Sequence, residues 1–157
     1  MLPLTSPRVA TLVAGVEIRR VASRADREAW ARTFVVGYGF PPEWAPAFAG
    51  LFGGMDDHDE YRGYVAFVDG RPVATSTVLL TGDVAGLYDV AVLPEMRRRG
   101  IGAAVTLGPF HEARREGART AILHASPLGL PVYERLGFRT VCTVDHFVWK
   151  DPAAPGR

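Results

Sequence analysis

Cysteine is nearly absent from this chain: Cys142 is the only one in 157 residues. No internal disulfide and no multi-thiol zinc site can form, so nothing demands an oxidising compartment and a cytoplasmic location is expected. Lysine is as scarce, with Lys150 alone beside 17 arginines. That bias, together with 17 glycines and 12 prolines, is what a GC-rich bacterial genome produces, and it makes arginine-rich motifs arise more often by chance. No apolar run approaches the ~20 residues of a membrane span, so no membrane partner is expected. The basic-then-apolar order of a signal peptide is missing from the first residues. An excess of one charge is missing too: 18 basic against 17 acidic residues leave +1. A nucleic-acid-binding surface would need a broad basic stripe, so no nucleic-acid partner is expected. His58, His111, His124 and His146 lack metal-ligand spacing, and no metal is expected.

What remains is ordinary globular composition, 48% hydrophobic and 22% charged. It fits a single domain over residues 15–150, with a loose N-terminal arm (1–14) and a C-terminal tail (151–157). A strand is expected over 16–21. Ser23 is a ready N-cap for a helix over 25–36. Pro41-Pro42 opens a short second helix, which Gly53-Gly54 ends. Residues 56–60 read as an acidic loop. The period then changes to two. Runs 61–68 and 73–80 flank Asp69-Gly70, a hairpin signal, and a third strand covers 84–92. A helix follows over 100–116, with Pro109 inside it expected to remove one backbone hydrogen bond and bend it. Next come a strand over 120–125, a helix over 130–136 and final strands over 138–144 and 146–150. A lone cysteine on such a strand usually behaves as a small buried hydrophobe, which is the expectation for Cys142. Hairpins imply antiparallel pairing. The strand–helix–strand unit around Gly100 implies a parallel pair with a right-handed crossover. The fold class is α/β, a mixed sheet with helices on both faces.

One segment carries chemistry: Tyr88-Asp89-Val90-Ala91-Val92-Leu93-Pro94-Glu95-Met96-Arg97-Arg98-Arg99-Gly100-Ile101-Gly102-Ala103. It runs from strand through a basic glycine loop to a helix start. A helix N-terminus offers four unpaired N–H groups and about half a positive charge. Gly100 and Gly102 let a ligand approach the backbone with no Cβ in the way. Three arginines add charge at the mouth, and a pyrophosphate is the natural occupant. The Gly-Lys-Ser/Thr of a Walker loop is absent, and Val105 stands where a dinucleotide fingerprint needs its third glycine.

This segment, followed one helix and one strand later by Tyr133-Glu134-Arg135-Leu136-Gly137-Phe138, resembles the two signature motifs of the GNAT superfamily of acyl-CoA-dependent N-acetyltransferases. The resemblance implies the acyl-CoA N-acyltransferase fold, a central mixed and mostly antiparallel sheet flanked by helices, with acetyl-CoA as co-substrate. The backbone of Val90, Ala91 and Val92 would meet the pantetheine arm as a pseudo-strand. The slot for it would open where strand 84–92 splays from strand 120–125. Arg97, Arg98, Arg99, Gly100, Ile101, Gly102 and Ala103 would hold the pyrophosphate, mainly through backbone N–H groups. Ser126 stands where many members carry an asparagine that contacts CoA, a departure from the pattern. Tyr133 would lie near the thioester sulfur and act as general acid. The Val92 N–H would stabilise the oxyanion. Asp89, beside the pseudo-strand, is the candidate base, directly or through water. Strand alternation puts Asp89 and Ala91 on one face, Val90 and Val92 on the other. In the resembled fold the first two helices border the acceptor site. Tyr38, Phe40 and Trp44 are therefore the candidate acceptor wall for a small-molecule or peptide amine, whose ammonium Glu43 would meet. Many members pair, so a homodimer is admitted. The alternative reading is a catalytically silent acetyl-CoA-binding module of the same fold.

Overall fold

The computed structural model describes residues 1–4, 13–54, 59–147 and 149. In chain order the elements are β1 (Leu2–Pro3), β2 (Val16–Arg20), α1 (Arg24–Tyr38), α2 (Ala45–Gly53), β3 (Tyr61–Val68), β4 (Arg71–Thr81), β5 (Val84–Val92), α3 (Ile101–Arg115), β6 (Thr120–Leu123) and α4 (Leu130–Arg135). Local chemistry sets most of these boundaries. The Ser23 hydroxyl accepts from the Asp26 N–H at 3.1 Å, and the Asp26 carboxylate accepts from the Ser23 N–H at 2.9 Å. This reciprocal capping box starts α1. Gly39, at φ 79°, ends it in the left-handed region. Asp69 and Gly70, at φ 51° and 75°, form the two-residue turn whose twist matches a β3–β4 hairpin.

The six strands form one sheet in the order β1-β6-β5-β4-β3-β2. β5 and β6 run parallel, and the other neighbours are antiparallel. The expected mixed, mostly antiparallel sheet flanked by helices is what forms. Alternation along β3 separates two cores. Val65 and Phe67 join Trp30, Phe34 and Phe52 beneath α1 and α2. Tyr64 and Ala66 face the other way, toward Phe110, Ile101 and Val105 of α3.

Pro109 lies inside α3 and removes the N–H that the Val105 carbonyl would otherwise accept from. The fully buried Ser76 hydroxyl of β4 donates to that carbonyl at 2.8 Å instead. The backbone oxygen of Ser76 accepts from the Trp30 indole at 3.4 Å on the opposite side. One serine thus ties α1 and α3 to the centre of the sheet.

Two expectations are corrected. Residues 1–4 are no loose arm: Leu2 and Pro3 pair with Ala121 and Thr120 of β6, and Leu2 and Leu4 are buried. The final strands over 138–144 and 146–150 do not form at their described residues. The reason is that β1 already occupies the edge beside β6. After α4 Phe138 packs into the core against Phe110, and the chain then meets the outer side of β1, where Met1 and Arg139 exchange two backbone hydrogen bonds at 2.8 and 3.0 Å. Cys142 is consequently exposed and not buried. Most of the acidic loop (Asp56, Asp57, His58), residues 5–12 of the arm and the tail 151–157 lie outside the described residues.

Candidate active site

The site is built on an irregularity in the central strand pair. Thr75 of β4 lies opposite Ala91, but Thr77 lies opposite Tyr88. Asp89 and Val90 therefore face the single residue Ser76, which is a β-bulge. Asp89 takes φ 54° to make it. Asp and Asn visit that left-handed region more readily than other non-glycine residues. The Thr75 hydroxyl donates to the Asp89 carbonyl at 2.9 Å and pins the bulge. Across it the expected alternation holds. Asp89 and Ala91 belong to the α1 face, whereas Val90 and Val92 pack toward α3.

On that face the Tyr61 hydroxyl reaches Asp89 Oδ2 at 3.5 Å, the long end of a hydrogen bond. Burial pushes the Asp89 carboxyl above its ordinary range, and the Thr77 and Tyr61 hydroxyls pull it back. Burial and the Asp89 charge push the Tyr61 phenol up to about 12. The Thr77 hydroxyl is close enough to influence both groups, yet its buried Oγ1 meets hydrogen-bond geometry with no protein atom. Tyr38 is raised by burial and by Asp89. Tyr133 is pushed up to about 12 by burial, and Tyr38 adds to the shift. Of the residues chosen from the sequence, Asp89 thus acts on Tyr38 and Tyr38 on Tyr133. Tyr61 and Thr77 were missed. The signal for them was weak, because the sheet register brings them to Asp89 from 28 and 12 positions upstream.

From Tyr38 an aromatic face extends outward. Tyr38 stacks on Phe40 at 5.8 Å between centroids, and Phe40 stacks on Trp44 at 5.7 Å. Tyr38 and Trp44 are half exposed. Glu43 is not part of this wall. It lines a separate groove of about 750 Å³ between α1 and α2, with Arg24, Arg27 and Arg32.

The glycine loop lies where β5 and β6 part. Their parallel ladder covers only Val84–Leu87, so Tyr88 through Val92 have no partner in β6. Gly100, at φ 78°, is the N-cap of α3, and no side chain caps it. The first-turn N–H groups of Ile101, Gly102 and Ala103 are thus left to a ligand or to water. A Cβ on Gly102 would meet only Val92 Cγ2, at 3.6 Å, so the space above it is open. The three arginines differ. Arg97 is committed to the protein, donating to the carbonyls of Gly37 at 2.8 Å and Val92 at 3.2 Å. Arg99 leans on Met96 Sδ at 3.3 Å. Arg98 is exposed at φ 63°. The Ser126 hydroxyl accepts from the Gly129 N–H at 3.2 Å in the turn before α4. His124 and His146 are exposed and His58 lies outside the described residues. Among the described residues no helix is long and apolar enough to cross a membrane.

A bulged central strand, a parting strand pair and an uncapped glycine helix start together mark a domain of mixed α/β class with an open slot beside β5. A family model described as the acetyltransferase (GNAT) domain matches residues 7–124, and the chain belongs to that family. An acetyltransferase of Trypanosoma brucei is 22% identical, with TM-score 0.70 over 85% of this chain and 99% of that one. An aminoglycoside acetyltransferase from an uncultured soil sample, solved with sisomicin, is 16% identical, with TM-score 0.70 over 87% and 96%. An aminoglycoside N-acetyltransferase solved with CoA is 19% identical, with TM-score 0.70 over 87% and 95%. At these identities the likeness is one of fold.

Proposed function

We propose that this chain is an N-acetyltransferase that moves the acetyl group of acetyl-CoA to a primary amine of a small molecule or peptide, by direct attack in a ternary complex. The observation that carries the reading is the edge of β5 that β6 leaves unpaired beyond Leu87, with the uncapped glycine start of α3 beside it. The residues suit acetyl-CoA. The open space over Gly102 and the uncapped N–H groups of α3 accept a pyrophosphate, and Arg98 and Arg99 rim it. Arg97 contributes by fixing the loop to α1, since its guanidinium is taken. Beyond Leu87 the edge of β5 that faces away from β4 has no partner in β6, so at Val90, Ala91 and Val92 that edge can meet the amides of the pantetheine arm, apart from the Val92 carbonyl that Arg97 holds. Ser126 supports α4 and contacts CoA weakly at most.

Bound acetyl-CoA supplies an activated acyl group as a thioester. The protein's residues do the rest. Asp89 takes the proton of the arriving ammonium, directly or through a water, which frees the nitrogen lone pair. Its raised pKa makes it a better base than an ordinary carboxylate. The Val92 N–H donates to the carbonyl oxygen as charge gathers there. Tyr133, with a hydroxyl pushed up to about 12, is fully protonated at neutral pH and donates to the departing sulfur. The Tyr38–Phe40–Trp44 face takes the apolar body of the acceptor.

The test is thermal unfolding with saturating acetyl-CoA, with ATP and NAD as controls, followed by thiol release with a panel of primary amines. At 100 times its dissociation constant a ligand stabilises by about 2.7 kcal/mol, a shift of several degrees. A shift with acetyl-CoA alone, with amine-dependent thiol release, supports the proposal. A shift without turnover would make the chain a silent binding module. No shift with acetyl-CoA or free CoA would overturn the cofactor site itself.

A further inference from the structure

Thr77 is buried to the last atom, and its hydroxyl is the only buried side-chain oxygen or nitrogen among the described residues that lacks a hydrogen-bond partner. A buried unpaired hydroxyl destabilises a fold, and a valine of the same shape would avoid that. The hydroxyl therefore does not serve packing. The sheet register sets Thr77 opposite Tyr88, next to the bulge, on the face that Asp89 and Tyr61 share.

Tyr61 is itself placed with care. Its ring packs on Phe52 of α2, with centroids 5.4 Å apart. Phe52 lies flat on the sheet only because Gly63 has no Cβ, since a methyl there would collide with the Phe52 ring. Helix α2 thus braces Tyr61 so that its hydroxyl meets Asp89 Oδ2. The groups facing Asp89 are Tyr61 from β3, Thr77 from β4 and Tyr38 from α1. No salt bridge reaches Asp89 among the described residues. Two hydroxyls thus stand where a half-buried carboxylate would otherwise have a cation.

We propose that Tyr61 and Thr77 are positioning residues: they orient the Asp89 carboxylate on its bulge and stabilise its charged form for proton removal from the acceptor amine. The physical reasoning is direct. Burial raises a carboxyl, and hydrogen bonds to its charged form hold that rise in check and fix how the carboxylate is turned. Thr77 completes its bond to Asp89 by a small rotation of either side chain when the acceptor arrives, since catalytic hydrogen bonds often tighten only in the complex. The proposal rests on Asp89 being the base, and the experiment separates the two claims.

The first readout needs no substrate. The Asp89 carboxyl carbon is followed by 13C NMR against pH in the wild type, Tyr61→Phe, Thr77→Val and Thr77→Ser. The Asp89 midpoint is expected to rise by about half to one pH unit in Tyr61→Phe and Thr77→Val. It should return toward the wild-type value in Thr77→Ser, which keeps the hydroxyl. The second readout is kcat/KM against pH with acetyl-CoA and 2-phenylethylamine, a primary amine whose ring suits the aromatic face. Its rising limb should move up with the NMR midpoint. Wild-type titration of Asp89 in both Tyr61→Phe and Thr77→Val would overturn the positioning role. A limb that survives in Asp89→Asn would instead remove Asp89 as base, leaving the NMR result to judge whether the two hydroxyls hold it.

Discussion

Ser76 and Thr77 are neighbours on β4, both fully buried, and they look out from opposite faces of the sheet. The Ser76 hydroxyl serves the Val105 carbonyl that Pro109 leaves without its helical donor. The Thr77 hydroxyl makes no hydrogen bond within the protein. The contrast extends to the whole of each face. Under α3 the polar groups are paired off: buried Arg62 meets Glu116 at 2.6 Å and Glu112 at 3.5 Å. Under α1 and α2 the sheet keeps a half-buried carboxylate without a cation, an unused hydroxyl and an aspartate at φ 54°. Protein interiors satisfy their polar groups as a rule. One face obeys and the other departs, and such departures cluster where proteins bind and react, which is why the proposed site is set on the α1 face.

The sharpest way to break this comparison is Asp89→Asn. Removing a general base lowers kcat by about 10²- to 10⁴-fold, yet the fold should not weaken. In the unfolded chain an aspartate titrates near about 3.9, and in the folded protein Asp89 titrates higher. The folded state therefore binds more protons between those two values, and stability falls as pH rises through that window. At neutral pH Asp89 is a net destabilising group, so Asp89→Asn should unfold at equal or higher denaturant concentration, the difference vanishing below pH about 4. A clear loss of stability at pH 7 would place Asp89 among the structural groups. Tyr133→Phe is the next largest effect. It should lower turnover about 10- to 100-fold while acetyl-CoA affinity holds, measured by steady-state kinetics beside a binding titration. A change in affinity alone would make Tyr133 a packing residue of α4.

The opposite signature is expected across the sheet. Ser76→Ala leaves the Val105 carbonyl buried without a donor. It should destabilise by about 2 kcal/mol, lowering the unfolding midpoint by roughly 4–8 °C. The pH dependence of the rate should not move. If stability held instead, water or a distorted helix would be satisfying Val105, and the pairing across β4 and α3 would not be what secures that face.

The same asymmetry explains what the sequence could disclose. Signals that act within a few residues were legible: the Ser23–Asp26 box, the Asp69-Gly70 turn and the Gly100 start of α3. Asp89, Tyr38 and Tyr133 were named from family-like motifs or from their place near the acceptor side, and their roles belong to the proposal. Features made by register were not legible. The bulge at Asp89 depends on how Thr75 and Thr77 pair, and no local pattern announces it. The cure for Pro109 comes from Ser76, 33 positions upstream. The pairing of Leu2 and Pro3 with β6 displaced strands whose local propensity was sound. Propensity proposes a strand, but a free edge decides whether it forms.

The smallest expected effect is the most discriminating, because it sets one hydroxyl against its neighbour. Thr77→Val removes an oxygen as fully buried as that of Ser76, so burial alone predicts equal losses for the two variants. Pairing predicts otherwise. The Ser76 variant breaks a bond, whereas the Thr77 variant removes a group that had none, and its stability should stay within about 0.5 kcal/mol of the wild type or exceed it. Denaturant unfolding of both variants at pH 7 decides between the two accounts. Equal losses would mean that Thr77 holds a structural partner and that the two faces do not differ. A stable Thr77→Val protein with an altered Asp89 titration would show that this hydroxyl is kept for the carboxylate beside it, at a site where folding alone would favour valine.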